Sequence, residues 1–463
     1  MKLPDGPQTP ALLQTMQWIG RPLAFMDACA QRYGDIFTTR VVGNSKPLVF
    51  ISNPQAIQEI FTADSKQFEA PGNLNGILRP LLGDQGVILL EGDRHRKRRQ
   101  LLMPPFHGDR MRAYSQLILD ITDREIGKWE IGKPFSIRSS MQEITLQVIL
   151  QAVFGLHEGE RFQQLKQLLC SLLNVTASPI SSSLLFFKFL QQDLGPWSPW
   201  GSFLRQRQQV DELLYQEIRE RREQPDSSRT DILSLLMSAR DEQGQPMTDV
   251  ELRDELMTLL VAGHETTATA LAWAFYWIHK LPEVHDQLLD ELDSLGDDPD
   301  PNTVARLPYL NAVCSETLRI YPVALITFPR SVKSARSLMG YDLEPGTILA
   351  GCIYLTHHRE DLYPEPHRFQ PQRFLERQFS PYEYLPFGGG SRRCIGMAFA
   401  QMEMKLVLAR VLSHLQLAVA EPRPVQPVRR GVTLSPAGGV RMVVTGKRPQ
   451  NTRRLQTISR TAS

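Results

Sequence analysis

Apolar and polar positions follow two regimes along the chain. Over residues 110–240 apolar side chains recur every three to four positions, the spacing of helices that bury one face. Breaks fall at Gly132-Lys133-Pro134, at Gly195-Pro196 and over 224–228. The longest uninterrupted pattern runs from Thr248 to Lys280 and stops before Pro282. Thr248 with Glu251 three positions on makes a capping box. About 30 residues at ~1.5 Å each give a helix on the order of 45 Å long, enough to cross the whole molecule. Further helices are predicted over Leu23–Tyr33, from Asn53-Pro54 onward, over Asp93–Leu102 and over Met397–Leu415. Period-two runs are short. Ile36–Val42 and Leu48–Ser52 flank Gly43-Asn44 and predict a hairpin, and 332–350 alternates between turns at Gly340 and Pro345-Gly346 as a small sheet. Residues 1–24 are proline-punctuated and predict irregular chain. Residues 66–86 carry Phe68, Leu74, Ile77, Leu78, Leu81 and Leu82 between glycines and prolines, as a packed loop or a cover over a pocket. The fold class is mainly α with small β-sheets.

Three stretches break these patterns. In the middle of the longest helix stands Ala262-Gly263-His264-Glu265-Thr266-Thr267, an acid and two threonines in otherwise apolar surroundings. Burying such groups is costly unless they are used. Alanine and glycine leave room for a flat group, and threonine can bond the carbonyl four residues back. The second stretch is Asp93-Arg94-His95-Arg96-Lys97-Arg98-Arg99, on which His95 and Arg99 share one helix face. The third is Phe387-Gly388-Gly389-Gly390-Ser391-Arg392-Arg393-Cys394-Ile395-Gly396. Its glycines let backbone pass close to a bulky group. Backbone N–H groups and the cations Arg392 and Arg393 favour a thiolate at Cys394. Read without those neighbours, Cys394 is equally a buried structural cysteine in a glycine-rich turn.

The fixed positions Phe387, Gly390, Arg392, Cys394 and Gly396 resemble the signature of the cytochromes P450. The rest of the chain bears out the resemblance in order: the Ala262–Thr266 stretch, Glu316-x-x-Arg319, and Phe369-x-Pro371-x-Arg373-Phe374, with Gln372 where glutamate is usual. It implies haem b held between the long helix and the loop of Cys394, the iron ligand. Cofactor contacts are implied for His95, Arg99, Arg330, Phe387, Arg392, Gly396 and Ala262. Thr266 is implied to hold reduced dioxygen and a proton-delivering water, with Glu265 relaying protons. Glu316, Arg319 and Arg373 are implied to form a structural triad. Leu74, Ile77, Leu78, Phe187, Ala262, Val323, Ala324, Leu325 and Ile326 are implied to line the substrate pocket. The implied reaction is monooxygenation of a lipophilic molecule by O2.

Composition narrows the partners. A length of 463 residues suggests about three domains, but no linker divides the sequence, so 1–446 reads as one domain with a basic tail at 447–463. A net charge of +2, without an aromatic-spaced basic groove, gives no case for nucleic acid. Five scattered cysteines without a Cys-x-x-Cys pair favour reduced thiols and a cytoplasmic location. No apolar run near the N-terminus is long enough for a transmembrane anchor. No nucleotide fingerprint or redox domain is recognisable, so electrons are expected from a separate ferredoxin with its reductase, docking on Arg96, Lys97 and Arg98. The substrate expected is a long-chain fatty acid, with Arg40 or Arg79 pairing its carboxylate. A terpenoid or retinoid is the alternative, and a haem sensor or carrier is the alternative of another class.

Overall fold

The structure is a computed structural model. It describes residues 3–449 apart from 42–45, 64–65, 107, 109, 156–158, 175–178, 227 and 297–298. The long helix forms over Asp249–Lys280, 32 residues, and its capping box closes as the sequence predicts. Its C-terminal half is buried on all sides, with Ala268, Leu271, Trp273 and Phe275 inaccessible to solvent. A second helix, Ile137–Phe154, packs along it. A Cβ on Gly263 would come within 2.9 Å of Ile149 Cδ1, so glycine permits this close approach. The room Gly263 provides is therefore for a neighbouring helix as much as for a flat group.

The predicted hairpin pairs Ile36–Thr39 with Leu48–Ile51, the first two strands of a five-stranded sheet. Leu48–Ile51 then pairs in parallel with Ile348–Gly351, followed by Arg330–Val332 and Phe68–Glu69 in antiparallel register. A separate hairpin, Pro427–Arg430 with Thr433–Pro436, docks against the long helix. Leu434 joins it to both sides: its N–H donates to Val323 O at 2.9 Å, and its carbonyl accepts from Trp273 Nε1 at 3.2 Å.

Two sequence readings need correction. Residues 1–24 are not irregular throughout, because Ala11–Gly20 is a helix. Pro4, Pro7 and Pro10 precede it and Pro22 follows it at the start of the next helix, and its buried residues Gln14, Thr15, Trp18 and Ile19 recur at helical spacing. Gln14 fixes it by donating to Pro7 O and Thr9 O, and by accepting from the Arg40 N–H at 2.8 Å. The tail does not begin at 447 either. The last strand runs through Lys447, and Arg448 pairs with Asp293 at 2.9 Å; residues 450–463 lie outside the described residues.

Glu316, Arg319 and Arg373 meet as the sequence predicts. Arg319 donates through Nε and Nη2 to the Glu316 carboxylate at 2.6 and 2.8 Å. Its remaining donors reach the carbonyls of His357, Pro366 and Arg368. Arg373 stands 3.5 Å from Glu316, which also accepts from the Gln370 N–H at 2.8 Å. Gln372 turns outward to Gln287, so its departure from the usual glutamate leaves the triad intact.

Candidate active site

The Cys394 loop is shaped by its glycines. Gly388 and Gly390 take φ of +67° and +61°, the left-handed region that glycine adopts without strain. A Cβ on Gly389 would strike the Phe61 ring at 2.3 Å. The loop closes where the Cys394 N–H donates to Phe387 O at 3.0 Å. The Cys394 side chain is open to the cavity while lying deep below the outer surface. Burial raises its pKa, against the Gly396 N–H, Arg99 and Arg393, which lower it. The sequence points to Arg392 and Arg393 as these cations, and of the two Arg393 acts on Cys394. Arg392 instead donates to the carbonyls of Ala70, Val87, Ile88 and Leu90, stitching the cysteine loop to the cover segment. Burial pushes Cys29 up to about 11 and Cys314 to about 12, so neither offers a thiolate near neutral pH.

Cys394 opens on a cavity of about 840 Å³. Phe387, Arg392 and Gly396 line it on the cysteine side; Ala262, Gly263 and Thr266 line it from the long helix. The Thr266 hydroxyl donates to Ala262 O at 2.5 Å, the backbone bond the sequence suggested. His95 and Arg99 both line the cavity from Gly92–Leu102. Burial is the main influence on Arg99 and lowers its pKa, while Cys394 opposes that shift. Of the predicted pocket residues, Leu74, Ile77, Leu78, Val323, Ala324, Leu325 and Ile326 line the cavity.

Other predicted residues lie outside the lining or are already paired. Phe187 is out of phase: Leu185 and Phe186 face the cavity, and Phe187 packs against Phe189. Arg330 lies behind the wall, donating to Phe328 O at 2.8 Å and Gly389 O at 3.0 Å. Arg40 is exposed and outside the lining. Arg79 lines the rim but is half exposed and paired with Asp84 at 2.7 Å. Glu265 faces away from the cavity, toward Arg138, Gln142 Nε2 at 3.0 Å and Arg430 at 3.8 Å. His264 beside it is buried against Thr145, and burial lowers its pKa to about 4, so it stays neutral. Arg98 is not part of an exposed basic face. It is buried and bonded to Glu251 at 2.5 Å and Glu255 at 2.9 Å.

The residues present fit a haem. A cavity-facing cysteine opposes a small-residue helix face, and Arg99, Arg392 and Arg393 stand in the same wall. That arrangement defines a haem-thiolate site. The family model for cytochrome P450 matches residues 4–440. The protein named cytochrome P450 135B1 in Mycobacterium tuberculosis is 38% identical over 454 residues, covering 97% of this chain and 92% of the relative. Cytochrome P450 135A1 of the same species is 33% identical, covering 95% and 94%. Among solved structures, a cyanobacterial CYP120A1 described as retinoic acid bound superposes with a TM-score of 0.82 at 26% identity, covering 96% of this chain and 100% of that one. The haem domain of cytochrome P450DA, at 24% identity and TM-score 0.83 over 96% of this chain and 98% of that one, shares the fold. The chain belongs to the cytochrome P450 family. It is accordingly a haem monooxygenase, which uses O2, a lipophilic substrate and electrons from a redox partner. Among the described residues, no helix is long and apolar enough to cross a membrane.

Proposed function

We propose that this monooxygenase hydroxylates a long-chain fatty acid with electrons from a separate ferredoxin. The observation that carries the reading is the cavity itself, walled by Leu325, Ile326, Phe186 and Leu185 and opening on both Cys394 and Thr266. Such a wall holds an extended apolar chain and excludes water from it. Haem, when bound through Cys394, supplies the oxygen activation. His95 and Arg99, both in the cavity wall, would hold its propionates. Thr266 has a hydroxyl on the cavity surface that can turn from Ala262 O to hold a proton for the reacting oxygen. Glu265 delivers protons by leaving its Arg138 and Gln142 partners. Exposed Arg96 and half-buried Lys97, on the helix that carries His95 and Arg99, suit an acidic electron donor. A retinoid is the second reading, favoured by the retinoic acid described in the cyanobacterial neighbour.

The test is a titration of the ferric protein with saturated fatty acids of increasing length and with a retinoid and terpenoid panel, followed at the Soret band. A low-to-high-spin shift that tightens with acid chain length is expected. Shifts confined to terpenoids or retinoids would move the assignment to the second reading.

A further inference from the structure

Arg429 lies on the hairpin strand Pro427–Arg430 and lines the cavity, yet only 5% of its surface is exposed. Its Nε donates to Trp18 O at 3.1 Å, and its guanidinium stacks over the Trp18 ring at 4.5 Å. Its Nη2 is buried with no hydrogen-bond partner. Among the described residues no carboxylate pairs with it, and burial alone lowers its pKa, to about 10, so it remains a cation near neutral pH. Strand alternation turns the next residue, Arg430, the other way, toward Glu265 at 3.8 Å. Trp18 belongs to an apolar cluster with Phe50, Phe186 and Leu325, all of which line the same cavity. A buried charge without a counter-charge is costly. Here two contacts hold the guanidinium in place while one nitrogen is left open beside an apolar wall.

We infer that Arg429 binds the carboxylate of the substrate, so that the cavity selects a monocarboxylate with a long apolar tail. This rests on the lipophilic-acid reading above and replaces Arg40 and Arg79 as the anchor. The planar fork of arginine matches a carboxylate, and an apolar surround strengthens a charge-assisted bond. With the head at Arg429, the tail runs along Leu325 and Phe186 within the cavity that Cys394 and Thr266 share.

The experiment compares spectral dissociation constants of the ferric holoprotein for hexadecanoic acid, its methyl ester and hexadecanol, in wild type and Arg429→Gln. The wild type is expected to prefer the acid. Arg429→Gln should weaken the acid about 10- to 100-fold, the span of a charge-assisted hydrogen bond, while ester and alcohol bind as before. Acid and ester weakened alike, or an unchanged acid preference, would overturn the inference and leave the lipophilic-acid reading standing. No acid-induced shift in wild type would overturn both. Should Arg429→Gln fail to retain haem, Arg429→Lys takes its place. Part of the acid preference is then expected to survive, and equal loss for acid and ester would overturn the inference.

Discussion

Two buried arginines teach opposite lessons. Arg319, fully buried, has every guanidinium nitrogen bonded and a carboxylate beside it. Arg429, almost as deep in the cavity wall, has one nitrogen bonded, one without a partner and, among the described residues, no carboxylate paired with it. A closed network fixes a scaffold, because removing either partner strands the other in a low dielectric. An open one is complete when something else enters. Arg98 stands between them. It holds Glu251 and Glu255, but the second oxygen of Glu255 lacks a partner and burial raises that acid to about 7.

Breaking the closed network should have the largest effect. Arg319→Met leaves the buried Glu316 carboxylate with only the Gln370 N–H and Arg373 at 3.5 Å and is expected to cost about 3–5 kcal/mol of stability, read as a lowered denaturation midpoint and lost haem retention. Retained stability would remove the contrast between the two sites. Next comes the proton path: Glu265→Gln should lower turnover about 100-fold while leaving spectral binding of the substrate unchanged, because Glu265 lies outside the cavity lining. A change in binding would place Glu265 in the pocket instead. Opening the comparison from the other side, Arg429→Gln should alter head-group preference and leave the melting temperature close to wild type.

The intermediate case predicts a pH effect. The folded pKa of Glu255 lies above its ordinary 4.5, so the folded state holds that proton more tightly than the unfolded chain. Its contribution to stability therefore falls as pH rises from 4.5 to about 7, by up to about 1.4 kcal/mol per pH unit. Glu255→Gln should flatten that slope in denaturant titrations across this window, with Glu251 still holding Arg98. The smallest effect belongs to the surface. Reversing Arg96 and Lys97 to glutamate should slow reduction by a ferredoxin about tenfold at low salt and little at high salt.

The closed network and the cysteine loop were legible in the sequence, and the open site was not. Glu316 and Arg319 are three residues apart on one helix, a spacing that permits a pair, and the resemblance to the family's Glu-x-x-Arg marked that pair as a buried one. Cys394 is framed by glycines whose positive φ values the loop requires. Thr248 and Glu251 mark the start of the long helix by the same kind of local rule. Arg429 depends on Trp18, more than four hundred residues away in the sequence, and no local pattern carries that pairing. Arg98 was read as part of a solvated basic face for the same reason: its partners, Glu251 and Glu255, belong to a distant helix. Phe187 was named for the pocket in place of Phe186 because an unbroken apolar run, 184–187, gives no helical phase. Arg330 was placed in the cavity by resemblance, whereas its donors meet backbone carbonyls.

The most direct test is turnover of hexadecanoic acid under isotopically labelled dioxygen, with a ferredoxin and its reductase as surrogate donors, followed by mass analysis of the product. The account predicts a hydroxylated acid carrying one labelled oxygen atom, while the methyl ester gives much less of its own hydroxylated product. Unlabelled product, or no oxygenated product although the acid shifts the Soret band, would contradict it.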